Sequence, residues 1–186
     1  MAGQLRITGG KLLRRHFHVP QAADQGLVRP TGDRVRGAVF SALFGRLDGA
    51  LVLDLFAGSG AYGFESLSRG AKSVLFVEKD RKTAACIREN AEGLGVLKDC
   101  SIVISDVLSF IQRPGSKKYG LLFVDPPYPL KIESPFWDFL KNWMSEDALV
   151  IFRCKDEKSF EPHLGYEVIR EKSYGGTCVF FLKKSE

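Results

Sequence analysis

Apolar residues along this chain fall into runs rather than strict alternation. LVLDLF (51–56), SVLFVEK (73–79), IVISD (102–106) and LLFVD (121–125) are apolar almost throughout. A strand covered on both faces reads as such a run, whereas a strand with one wet face alternates. Segments compatible with helices separate the runs, at 61–69, 80–93 and 107–112. Strands alternating with helices predict βαβ units and a parallel sheet. A further helix over 135–144 leads to ALVIFRC (148–154). YEVIREKSY (166–174) and TCVFFLKK (177–184) are joined only by Gly175-Gly176, too short a link for a crossover, so this pair is antiparallel. The prediction is a doubly wound, Rossmann-like α/β sheet of about seven strands, the last pair antiparallel.

The front of the chain differs. QLRIT and LLRRHFHV flank Gly9-Gly10, which predicts a hairpin over 4–19 with a glycine turn. Residues 20–30 read as a linker. From Thr31, which suits a cap, Val35, Val39, Ala42 and Leu43 share one helical face. The expected division is a small basic β-hairpin with its linker at 1–30 and the main domain at 31–186.

Charge sharpens this division. The chain of 186 residues carries a net +5. Residues 1–50 hold eight cations against Asp24, Asp33 and Asp48, so the first quarter carries the whole surplus. A concentrated positive segment suits a polyanion, most simply nucleic acid, and makes Arg6, Lys11, Arg14, Arg15 and Arg34 candidate contacts; a solvated basic face is the plain alternative. No apolar run approaches the roughly 20 residues of a membrane span. The basic N-terminus has no continuous apolar segment of the secretory kind, so a cytoplasmic protein is expected. Cys86, Cys100, Cys154 and Cys178 form no CxxC pair, and three of the four read as buried thiols. His16, His18 and His163 have no metal-ligand company, so no metal is expected.

In a doubly wound sheet, ligands bind beyond the carboxyl ends of the strands. The four runs bring DLFAGSGAYG, Glu78, Asp106 and Asp125-Pro-Pro-Tyr to that edge. Gly58, Gly60 and Gly63 satisfy GxGxxG, the fingerprint of a dinucleotide site, so an NAD dehydrogenase is one reading. Asp54, four residues before Gly58, argues against it, because a pyrophosphate disfavours a nearby carboxylate. A ligand with a sulfonium and an ammonium and no phosphate fits better, and S-adenosylmethionine is such a ligand. Glu78 would accept from both ribose hydroxyls and Asp106 from the adenine amino group.

The run LLFVDPPYP ends its strand abruptly, since proline donates nothing to a sheet ladder. An exocyclic nucleobase amine is a poor nucleophile until acceptors on its N–H bonds favour a more tetrahedral nitrogen. Asp125 offers carboxylate oxygens. The Pro126 carbonyl offers another acceptor, held because Pro127 restricts Pro126 to an extended conformation. Tyr128 offers a flat face for a displaced base. An ionised Asp at 125 matches the adjacent N1–H and N2–H₂ donors of guanine, although adenine-modifying enzymes also carry Asp-Pro-Pro-Tyr.

Taken together, RITGGKLLRR, RPTGDRVRGAVFSAL (29–43), LDLFAGSGAYGFESLSRGA (53–71), FVEKD (76–80), FVDPPY (123–128) and YGGT (174–177) resemble the bacterial 16S rRNA guanine-N2 methyltransferases. The resemblance runs nearly end to end. It implies a class I methyltransferase fold, S-adenosylmethionine as donor, and a guanine of 16S rRNA, in an assembled or assembling small subunit, as target. By position it implies that Asp54, Phe56, Ala57, Gly58, Ser59 and Gly60 line the methionine side, Glu78 and Lys79 the ribose, and Asp106 and Val107 the adenine. Asp125, Pro126, Pro127 and Tyr128 form the catalytic loop. Arg29, Thr31 and Arg34 close over the cofactor carboxylate or the RNA. Three residues depart from the family pattern: Arg153 stands where an acid is usual, Gly37 interrupts a helix, and Tyr62 replaces an aliphatic residue. The rivals are an adenine-N6 DNA methyltransferase and a non-catalytic nucleic-acid-binding module of the same fold.

Overall fold

The computed structural model describes residues 3–20, 32–115, 117–127, 130, 132–155, 160–174 and 176–185. A seven-stranded sheet forms the middle layer. Its strands are β3 (Leu51–Leu55), β4 (Ser73–Glu78), β5 (Cys100–Ile104), β6 (Tyr119–Val124), β7 (Met144–Cys154), β8 (Tyr166–Tyr174) and β9 (Thr177–Lys184). Their spatial order is β5-β4-β3-β6-β7-β9-β8. The first five are parallel, and β9 runs antiparallel to both β7 and β8. The order reverses between β3 and β6, so the crevice of a doubly wound sheet opens at their carboxyl ends.

Side chains on alternate residues go to opposite faces. Val52, Leu121, Phe123, Leu149 and Ile151 pack beneath α1 (Asp33–Ala42), α2 (Ala61–Ser68) and α3 (Arg81–Leu94). Leu53, Leu55, Leu122, Val124, Val150 and Phe152 pack against α4 (Val107–Ile111) and α5 (Ser134–Leu140). These near-continuous apolar strands need cover on both sides, and the helices supply it. Gly63 permits a close approach of α2 to β4: a Cβ there would lie 2.9 Å from Val74 and closer still to the Phe76 ring.

At the front, β1 (Gln4–Arg6) and β2 (His16–His18) form the hairpin ladder. The predicted two-residue glycine turn is instead a wider loop, with Arg14 at φ 68°. The loop's backbone pairs with α2 as well as with itself: the Lys11 N–H donates to the Ser68 carbonyl, and a Cβ on Gly10 would collide with that oxygen. Gly32, not Thr31, is the N-cap of α1, and it offers no side chain. The helix expected over 135–144 ends at Leu140 in a single 3₁₀ turn (Lys141–Trp143), and β7 begins earlier than expected, at Met144. Trp143 explains the stop: its indole N–H donates to the Ile111 carbonyl, 3.0 Å away, and its ring stacks on Phe110. Cys154 and Cys178 are buried, whereas Cys86 and Cys100 are half-buried, so two thiols rather than three are enclosed.

Candidate active site

The acids predicted at the strand ends gather at one edge. Asp54 and Glu78 share residue parity with the positions facing α2, and Asp125 follows Phe123 on the same face. Between them lies a loop of left-handed backbone, with Phe56 at φ 60°, Gly58 at 54° and Gly60 at 77°. For a phenylalanine this conformation is strained, and such strain clusters at functional sites.

Backbone N–H groups lock this loop to the acids. Gly58 donates to Glu78 Oε2 at 2.8 Å and Asp80 to Glu78 Oε1 at 3.0 Å. Each carboxylate oxygen keeps a further lone pair for a ligand hydroxyl. Gly63 donates to Asp54 Oδ2 at 3.0 Å, while Asp54 Oδ1 is buried with no hydrogen-bond partner among the described residues. Burial pushes the Asp54 carboxyl well above the usual carboxylate range; the Gly63 N–H opposes this, and the negative Asp125 and Glu78 add to it. A buried acceptor with no donor, beside a glycine loop and two further acids, fits the cationic methionine end of S-adenosylmethionine.

Asp106 sits two residues beyond β5 and caps α4, its Oδ1 accepting from the Ser109 N–H at 3.1 Å. Val107 is buried behind it, and Lys79 is exposed. Ala57 and Ser59 are buried within the loop. Asp125 and Pro127 are half-buried and Pro126 buried, with the Pro127 carbonyl accepting from Leu130 N–H at 2.8 Å. Arg29, Thr31 and Tyr128 lie outside the described residues. Tyr62 stacks on Phe123, ring centroids 4.6 Å apart, and so floors the crevice two residues before Asp125.

Arg153 has a definite geometry: its Nε donates to Asp125 Oδ1 at 2.5 Å, so it pairs with the loop acid.

The basic residues are placed differently. Arg6, Lys11, Arg14, Arg15 and Arg34 are all exposed. The hairpin loop docks at Ser68, the far end of α2 from the glycine loop. An eight-residue helix spans about 12 Å, so Lys11 and its neighbours stand about that far from the cofactor loop. Arg15 also donates to the Gly93 carbonyl, 2.8 Å away near the end of α3.

One network was not legible in the sequence. Arg36, one of the cations of the basic front segment, is wholly buried, as is Glu65 on α2. Glu65 Oε2 accepts from the Thr8 N–H at 2.9 Å and Arg36 Nε at 3.3 Å; its Oε1 accepts from the Thr8 hydroxyl and Arg69 Nε. Arg36 donates further to Asp33 and to the Arg6 carbonyl. The available signal was an acid inside the otherwise apolar and small stretch AYGFESLS, where a carboxylate needs partners.

A seven-stranded sheet of this order, with a glycine loop after its central strand and acids at the next two strand ends, is the fold of the S-adenosylmethionine-dependent methyltransferases. The chain belongs to the family described as conserved hypothetical protein 95, whose profile matches residues 5–183. It is 33% identical over 177 residues to ribosomal RNA small subunit methyltransferase D of Haemophilus influenzae, covering 93% of this chain and 90% of that one. The Escherichia coli K12 protein of the same name is 36% identical over 160 residues, covering 84% and 77%. The solved structure of Escherichia coli yhhF superposes with a TM-score of 0.86 at 29% identity, covering 99% of each chain.

Proposed function

We propose that this chain transfers the methyl group of S-adenosylmethionine to the exocyclic N2 amine of a guanine in 16S rRNA, within the small ribosomal subunit. The observation that carries this reading is the placement of Asp125, with the Pro126 and Pro127 backbone, beside the buried Asp54 at the switch point of the sheet. The relatives' names support small-subunit rRNA as the substrate class.

Bound in the crevice, S-adenosylmethionine supplies an electrophilic methyl group on a sulfonium. Asp54 Oδ1 receives the ligand ammonium, and the loop at 56–60 lets backbone approach the methionine part closely. Glu78 accepts from the ribose hydroxyls and Asp106 from the adenine amino group. Asp125 and the Pro126 carbonyl accept from the target amine and orient its lone pair along the line of attack. The N–C bond forms as the S–C bond breaks, S-adenosylhomocysteine leaves, and the methylated nitrogen loses one proton to water. The chain therefore contributes mainly orientation and fixed electrostatics. The exposed hairpin cations hold phosphates at a distance from the crevice, which suits a large folded RNA rather than a nucleoside.

Labelled methyl incorporation into three substrates tests this reading: small subunits lacking the modification, free 16S rRNA, and duplex DNA. Preferred labelling of the subunits is the predicted result. Preferred labelling of DNA adenine would replace this reading by the N6 one, and labelling of none would favour a binding module.

A further inference from the structure

Asp125 is the first residue past β6, and Arg153 lies beside it on β7, one step beyond the Val124–Phe152 pair. Parity places both side chains on the face beneath α1 and α2, where Phe123 and Ile151 precede them. The Nε–Oδ1 contact of 2.5 Å is largely withdrawn from water, the two side chains being 12% and 13% exposed. Screening is therefore weak.

A guanidinium is planar, permanently charged and donates in a fixed fork. Seated on Oδ1, it restricts rotation of the carboxylate and favours its charged form. A carboxylate has about four acceptor positions, so an ion pair on one oxygen is compatible with accepting from an amine. Arg153 from β7 and Asp54 from β3 both act on Asp125, and Asp54 acts in the opposite direction. From α1 and α2 come the rings of Phe40 and Tyr62, packed on Phe123. An acid at position 153 would repel Asp125; the arginine reverses that sign.

We propose that Arg153 is a positioning residue for methyl transfer: it holds Asp125 ionised and aimed, so that the carboxylate acts as an acceptor for the target amine. The inference rests on the role given to Asp125 under the proposed function.

The test is the pH dependence of kcat and kcat/KM with methyl-labelled S-adenosylmethionine and small subunits lacking the modification. The proteins compared are the wild type, Arg153→Gln, Arg153→Lys and Asp125→Ala. Arg153→Gln lowers kcat about 10- to 100-fold, the scale of a misplaced reacting group. It also moves the acid limb to higher pH, because the carboxylate then loses its charge more easily. Arg153→Lys, which keeps the charge, returns the acid limb towards its original position. Calorimetric affinity for S-adenosylhomocysteine stays within a few fold in every variant. If Asp125→Ala is inactive while Arg153→Gln keeps the wild-type kcat and acid limb, or turns over faster, the positioning inference fails and the role of Asp125 stands. If Asp125→Ala turns over like the wild type, the proposed function itself fails at this residue.

Discussion

Asp54 gives one oxygen to the Gly63 N–H at 3.0 Å and keeps the other buried without a hydrogen-bond partner among the described residues. The first oxygen ties the central strand to α2. The second faces a site that has to bring its own donor.

Proton release on cofactor binding follows from this arrangement. The folded protein holds the Asp54 proton more tightly than the unfolded chain, chiefly through burial. A cation placed on Oδ1 favours the ionised form, so binding expels a proton. Between the unfolded value and the raised one, the calorimetric enthalpy of S-adenosylhomocysteine binding therefore varies with the ionisation enthalpy of the buffer. Asp54→Asn removes that dependence and weakens binding. The same shift sets a sign for stability without ligand: as pH rises above the unfolded value near 3.9, the unfolded state sheds this proton first and stability falls. Asp54→Asn flattens that decline. An enthalpy independent of buffer would contradict the assignment.

Glu65 joins the hairpin to the methyltransferase fold. Removing it takes a carboxylate from two arginines, and the wholly buried Arg36 keeps Asp33 and the Arg6 carbonyl. Glu65→Ala costs about 3–5 kcal/mol, the usual result of breaking one side of a buried pair. Chemical denaturation measures the loss, and limited proteolysis shows the hairpin cut first. A cost below about 1 kcal/mol would mean that the hairpin is docked by the apolar packing of Ile7 and Phe17 and by its contacts with Ser68 and Asn90, without help from Glu65.

Two glycines predict opposite outcomes. Gly63→Ala drives a methyl into Phe76 and Val74, and overpacking of this kind costs about 1–3 kcal/mol. Gly37 lies inside α1, where a Cβ meets only the Thr8 hydroxyl at 3.8 Å, an ordinary contact. Gly37→Ala therefore stabilises by about 0.5–1 kcal/mol through helix propensity. Thermal melts of both variants check the pair.

The hairpin cations act on RNA affinity. Replacing Lys11 and Arg14 with glutamine weakens subunit binding. It also reduces the slope of log affinity against log salt by about 0.7–0.9 for each phosphate no longer neutralised. Arg15 is a poorer probe, because its guanidinium also holds the Gly93 carbonyl. An unchanged slope would assign these residues to a solvated face.

The parallel sheet was legible because buried strands leave continuous apolar runs, and the acids at 54, 78 and 125 were legible because they follow those runs directly. Asp106 was placed correctly at the edge, but its capping of α4 was not read. Long-range pairing left no such mark. Arg36 lies off the apolar face expected for its helix, and its burial depends on Glu65, 29 residues away, and on a hairpin loop that folds over α2. Arg153 stood out only as an oddity, because its partner is contributed by a neighbouring strand. The wide hairpin loop escaped notice for a similar reason: part of its hydrogen bonding is supplied by Ser68, far along the chain.

The most direct measurement is mass spectrometry of the nucleosides released from small-subunit rRNA after incubation with this protein and methyl-labelled S-adenosylmethionine. The account predicts label in N2-methylguanosine, lost with Asp125→Ala. Label in N6-methyladenosine, or in guanosine regardless of that substitution, would contradict it.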